Sequence, residues 1–107
     1  MEKLNTIKGT AMNRDRARVW VESPKLAAYG FTRGASIAVE FGRKAMYVTI
    51  TDDGDRKVSG RSRGGKDLSI IDVCFSDDVR RDMFGGAARL DVWVEQDQIV
   101  IKAAEAK

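Results

Sequence analysis

"KLAAYGFTRGASIAVEF" (25–41) decides how this chain is read, because its second part returns in kind later on. At a shift of 53 residues, "ASIAVEF" (35–41) lies over "ARLDVWV" (88–94). Ile37, Val39 and Phe41 then coincide with Leu90, Val92 and Val94, while Met46 and Val48 coincide with Ile99 and Ile101. Apolar residues at every second position mark strands with one buried face, here four strands in two hairpins. "GRK" (42–44) and "EQD" (95–97) stand between the paired strands and suit tight turns.

Upstream of each hairpin comes another strand and then a helix start. "ARVWVE" is followed by Ser23 and Pro24, where the serine oxygen can take a free helix N–H and proline has none to lose. "LSIIDVCF" is followed by Ser76 as N-cap, with Asp77 and Asp78 well placed for the helix dipole. Both helices are short, ending before Gly30 and before Gly85–Gly86. Further back, Gly9 falls near Gly60 and "RDRAR" (14–18) near "RSRGGK" (61–66). Each half therefore reads as strand, basic loop, strand, short helix, hairpin, and "DDGD" (52–55) is the turn between halves 1–53 and 54–107. That turn lacks the later acidic ligand of a calcium loop.

A chain of 107 residues is one domain, or two halves sharing a core, because units of about 50 residues bury too little apolar surface alone. With 43% hydrophobic and 33% charged residues and a single proline, the composition is that of a folded globular chain. No apolar run reaches membrane-spanning length, and "MEKLNTIKGT" has no signal-peptide pattern, so a cytoplasmic location away from membranes is expected. The single Cys74, between Val73 and Phe75, is expected to pack in the core and can form neither an internal disulfide nor a multi-cysteine metal site. The chain has no histidine, which removes the commonest general base and a main zinc ligand. No enzyme activity, metal or cofactor is expected.

The residues quoted so far resemble the AbrB/SpoVT/MazE swapped-hairpin domains. Arg18-Val19-Trp20-Val21 matches that family's basic-then-apolar second strand, and Gly30-Phe31 its glycine-hydrophobic pair after the helix. "LAAYGFTRGASIAVEF" is also similar to SymE-type proteins. In the second half, Val79-Arg80-Arg81-Asp82-Met83 resembles the family's helix with paired arginines, and "ARLDVWVEQDQIVIKA" its closing hairpin. The first helix departs from the pattern, with Leu26 and Ala27 where the arginine pair would fall, and the second has an extra glycine after it. The resemblance implies an α+β, mostly β fold: two tandem swapped-hairpin units, 1–53 and 54–107, forming one pseudo-twofold β-barrel with two short helices.

For function the resemblance implies binding of double-stranded DNA by a small transcriptional regulator or antitoxin-like repressor. The matching basic positions are Arg14, Arg16 and Arg18 in one half and Arg61, Arg63 and Lys66 in the other, with Arg80 and Arg81 on the second helix. Such groups neutralise phosphates, and arginine can read guanine edges. Trp20 and Trp93 are out of phase with the valines beside them and should point outward. There they either pack at an edge under a helix or a loop or, together with Tyr47 and Val100, form one interface for a protein partner or for a homo-oligomer. The alternatives are a mobile-element interaction protein that docks on a host nucleic-acid machine, and a SymE-like RNA-targeting toxin. In the latter, chemistry would fall to carboxylates such as Asp77, Asp78 and Asp82, which helix capping and a solvated face explain more simply.

Overall fold

A computed structural model of the chain describes residues 1–8 and 16–104. The elements are β1 (Glu2–Lys8), β2 (Arg16–Ser23), a 3-10 helix (Leu26–Tyr29), β3 (Ser36–Phe41), β4 (Ala45–Ile50) and β5 (Arg56–Lys57). They continue with β6 (Ser59–Arg63), β7 (Lys66–Ser76), α1 (Asp77–Phe84), β8 (Arg89–Glu95) and β9 (Gln98–Ala103). Among the described residues, nine strands form a six-stranded sheet in the order β1-β8-β9-β4-β3-β5 and a three-stranded sheet in the order β2-β7-β6. All ladders are antiparallel. Among the described residues no strand pairs across the two sheets, so no closed barrel is found. The described residues form a mostly β fold with one α-helix, and no helix among them is long and apolar enough to cross a membrane.

The two hairpins expected from the sequence form with closely matching turns. β3–β4 turns at Arg43–Lys44 and β8–β9 at Gln96–Asp97, and the second turn residue has positive φ in both, 69° at Lys44 and 65° at Asp97. The hairpins lie side by side through β4 and β9, with Tyr47 opposite Val100, Met46 opposite Ile101 and Val48 opposite Ile99. Strands from the two halves also cross over. β1 of the first half pairs with β8 of the second, and β5 of the second half pairs with β3 of the first.

The inward faces share one core. Val19 and Val21 of β2, Ile71 and Val73 of β7, Met46 and Val48 of β4, and the inward residues of β8 and β9 expose no surface. Leu26, the first residue of the 3-10 helix, and Phe31, just after its end, close it. Each such side chain contributes about 1.5–3 kcal/mol relative to leaving it in water.

Several local expectations need correction. Ser23 does not cap a helix at Pro24: its Oγ accepts from Lys25 N–H (3.0 Å), and a four-residue 3-10 helix begins only at Leu26. Ser76 does cap α1, accepting from Val79 N–H at 3.2 Å. Phe41, assigned to the buried phase, is 39% exposed, although its ring centroid lies 5.5 Å from that of Phe75. Cys74 is exposed, because alternation along β7 turns it outward between Val73 and Phe75. The stretch "RSRGGK" is not a loop but the end of the β6–β7 hairpin.

Candidate nucleic-acid interface

Strand register gathers most of the expected basic residues on one surface. In β2 the even-numbered residues Arg16, Arg18, Trp20 and Glu22 face away from the core, opposite Ser76, Cys74, Asp72 and Ile70 of β7. Across β7, Ser59, Arg61 and Arg63 of β6 stand opposite Ile70, Leu68 and Lys66. Side chains directly opposite share a face, so Arg16, Arg18, Arg61, Arg63 and Lys66 lie on the outward side of one small sheet around Trp20. Arg14 lies outside the described residues.

The arginines nearest the centre of that sheet are already engaged. Arg18 donates through Nε and Nη2 to the two carboxylate oxygens of Asp72 (2.7 and 2.8 Å), and its guanidinium sits 4.5 Å from the Trp20 ring centroid. Arg61 makes the same fork to Glu22, at 2.6 and 3.0 Å, and Trp20 Nε1 donates to Glu22 at 3.3 Å. The hydrogen bond from Arg61 holds the Glu22 carboxyl below the usual carboxylate range, and the hydrogen bond to Asp72 raises Arg18 further. Both pairs are solvent-exposed, so they set geometry more than stability.

Beyond these pairs the sheet narrows to two strands. Residues 61–67 are exposed throughout, and the turn Gly64–Gly65 has φ of 60° and 79°. Two consecutive positive φ values suit a tight hairpin turn, which is why glycine occupies both positions. A Cβ added at either would meet nothing within 4 Å, so nothing packs on the tip. Ser62 Oγ donates to Asp67 (2.8 Å) on one side of this ribbon. Arg63 and Lys66 occupy the other side and make no ion pair with a described residue.

The helical arginines are elsewhere and differently employed. Arg80 Nε and Arg81 Nε both reach Asp77, at 2.5 and 3.0 Å, and Arg80 Nη1 also donates to Gly85 O at 3.1 Å. Arg80 thereby ties the start of α1 to its end, and its hydrogen bond holds Asp77 below the usual carboxylate range. This assigns Asp77 to ion pairing in the first turn of α1.

The two tryptophans lie on different sheets and form no single patch. Trp20 is 38% exposed on the small sheet. Trp93 faces outward on the six-stranded sheet in one row with Val100 and Tyr47, and Lys102 Nζ stands 5.5 Å from its ring centroid. Sequence reasoning missed the ribbon, because its polar run lacks the apolar alternation that marks a strand; only the pair Gly64–Gly65 signalled a turn. Comparison with protein-family models, with curated proteins and with solved structures finds no match to this chain.

Proposed function

We propose that this chain binds double-stranded DNA, as a small transcriptional regulator or antitoxin-like repressor, and that the β6–β7 ribbon makes the principal contact. The reading rests above all on the ribbon itself: a two-stranded β-ribbon is of a size that enters the major groove, and this one presents Arg63 and Lys66 at a bare tip. The Arg61–Glu22 pair stands next behind the tip on the same outward face, and Arg16 lies at the far end of that face, opposite Ser76, where a duplex lying along the sheet would meet it. Crossed pairing of β1 with β8 and of β5 with β3, together with the matched turns, supports reading the fold as two interleaved swapped-hairpin units, 1–53 and 54–107, about a pseudo-twofold axis near Tyr47 and Val100.

Binding to a labelled duplex across a salt series tests the proposal. With Arg16, Arg63 and Lys66 each neutralising one phosphate, the slope of log affinity against log salt is about −3. Reversing both tip charges, Arg63→Glu with Lys66→Glu, brings the slope to about −1 and costs at least roughly ten-fold in affinity at each position. The double variant should keep the thermal stability of the parent, since neither side chain packs on the core. Unchanged affinity and slope would sink the proposal. A second reading, an interaction protein docking on a nucleic-acid machine, draws support from the outward row of Trp93, Val100 and Tyr47. Under that reading, reversing the tip charges leaves a protein pull-down intact while Trp93→Ala abolishes it.

A further inference from the structure

Two cavities adjoin where α1 meets the six-stranded sheet, and a third continues from them over β9, β8 and β1. The first, about 560 Å³, is lined by Arg43, Lys44 and Asp82. The second, about 490 Å³, shares Lys44 and Asp82 with it and adds Met83, Phe84 and Lys102. The third, about 450 Å³, shares Lys102 with the second and reaches Lys3 and Trp93. Register explains the line they follow: Ala45 stands opposite Lys102, Lys102 opposite Asp91, and Asp91 opposite Thr6. The trough thus crosses β4, β9, β8 and β1, about 14 Å at the usual strand spacing, and extends onto the Arg43–Lys44 turn.

Its charges are unevenly committed. Arg81 is held by Asp77 and Lys3 by Asp91, whereas Arg43, Lys44 and Lys102 make no ion pair with a described residue. Asp82 lies beside Arg43 and Lys44, and Asp91, which already pairs with Lys3, lies opposite Lys102. Cations spread along an elongated trough suit an extended polyanion better than a compact anion, and Trp93 at the far end, with Lys102 Nζ now 5.5 Å from its ring centroid, offers an aromatic surface on which a base can stack as that flexible side chain turns to a phosphate. The matched turn of the other hairpin makes an instructive contrast. There Asp97 N–H donates to Tyr29 O (2.9 Å), and Ile50 N–H donates to Asp97 O (3.0 Å), so the Gln96–Asp97 turn is pinned beside the 3-10 helix and carries an acid in place of Lys44.

We propose that the trough holds a single-stranded nucleic acid, with phosphates along Arg43, Lys44 and Lys102 and a base against Trp93. The site is separate from the ribbon: α1 begins at the end of β7 opposite the ribbon tip. It does not rest on the duplex reading.

Fluorescence anisotropy with labelled oligo-dT, oligo-rU and duplex DNA tests it on three proteins: the parent, Arg43→Gln/Lys44→Gly, and Arg63→Glu/Lys66→Glu. Glycine at 44 accepts the φ of 69°, so the turn survives loss of the charge. The trough variant should lose roughly ten-fold or more in single-strand affinity, at least one kind of strand being bound by the parent, and keep duplex affinity. The ribbon variant should do the reverse. In a Trp20→Phe background, the remaining tryptophan emission should quench as oligonucleotide is added. Failure of the parent to bind either single strand, equal binding by the trough variant, or loss confined to the ribbon variant would each overturn the proposal.

Discussion

β8 and β3 open two hairpins with matching turns and in-phase sequences, yet their outer flanks differ. Along β8 runs the seven-residue β1, and Leu90, Val92 and Val94 expose no surface. Along β3 runs only the two-residue β5; Ile37 beside it is buried, Val39 is half-buried, and Phe41 is 39% exposed. The physical reason lies in where the chain goes after Lys57. It leaves the six-stranded sheet and, from Ser59, pairs with β7 as β6. Residues that could have continued along β3 instead form the cationic ribbon. The second half thus gives up coverage of a hydrophobic flank for a projecting two-stranded arm, and the weakest side of the core adjoins the element to which function is assigned.

Substitutions can break this comparison. The largest effect is expected from Val92→Asp, which buries a carboxylate with no counter-ion and should unfold a domain whose total stability is about 5–15 kcal/mol. Val39→Asp occupies the matching position on the open flank, where the charge can reach water; it should lower the denaturant midpoint yet leave a folded, soluble protein. Equal loss at both positions, followed by urea unfolding, would mean that the two flanks are equally sealed.

Gly54→Ala comes next, at the junction of the halves. A Cβ there would overlap the backbone carbonyl of Ile37, so the backbone crossing β3 must shift, at a cost of about 1–3 kcal/mol. Parent-like stability would show that the junction does not hold β5 to β3. The smallest effect is on pH dependence. Glu22 has its pKa lowered by Arg61, so its contribution is present above the unfolded value of about 4.3 and is lost as pH falls through the folded value. The difference in melting temperature between parent and Glu22→Gln should therefore shrink as pH drops below about 4. A difference constant with pH would remove the ion pair from the account.

The hairpins were legible because alternation at Met46, Val48, Ile99 and Ile101 is a local signal that burial then enforces. Ser76 announced its helix for the same reason, the N-cap being complete within three residues. Phe41 was misread because phase says which way a side chain points and not whether a neighbouring strand covers it. The basic residues of "RSRGGK" were named from the sequence, but their common surface with Arg16 and Arg18 follows from a β2-β7-β6 order that links segments about forty residues apart. Their carboxylate partners Glu22 and Asp72 were invisible for the same reason, since each ion pair joins residues distant in the chain. The trough depends on α1 meeting the turn of the other half's hairpin, which no local pattern encodes.

The most direct test of the ribbon's role is a titration of isotopically labelled protein with duplex DNA, following backbone amide resonances residue by residue. The amides of residues 61–67 and of Arg16 should move first and farthest, with those of β3, β4 and β9 nearly still. Shifts confined to the outward row of Tyr47, Trp93 and Val100, with the ribbon unmoved, would contradict that role.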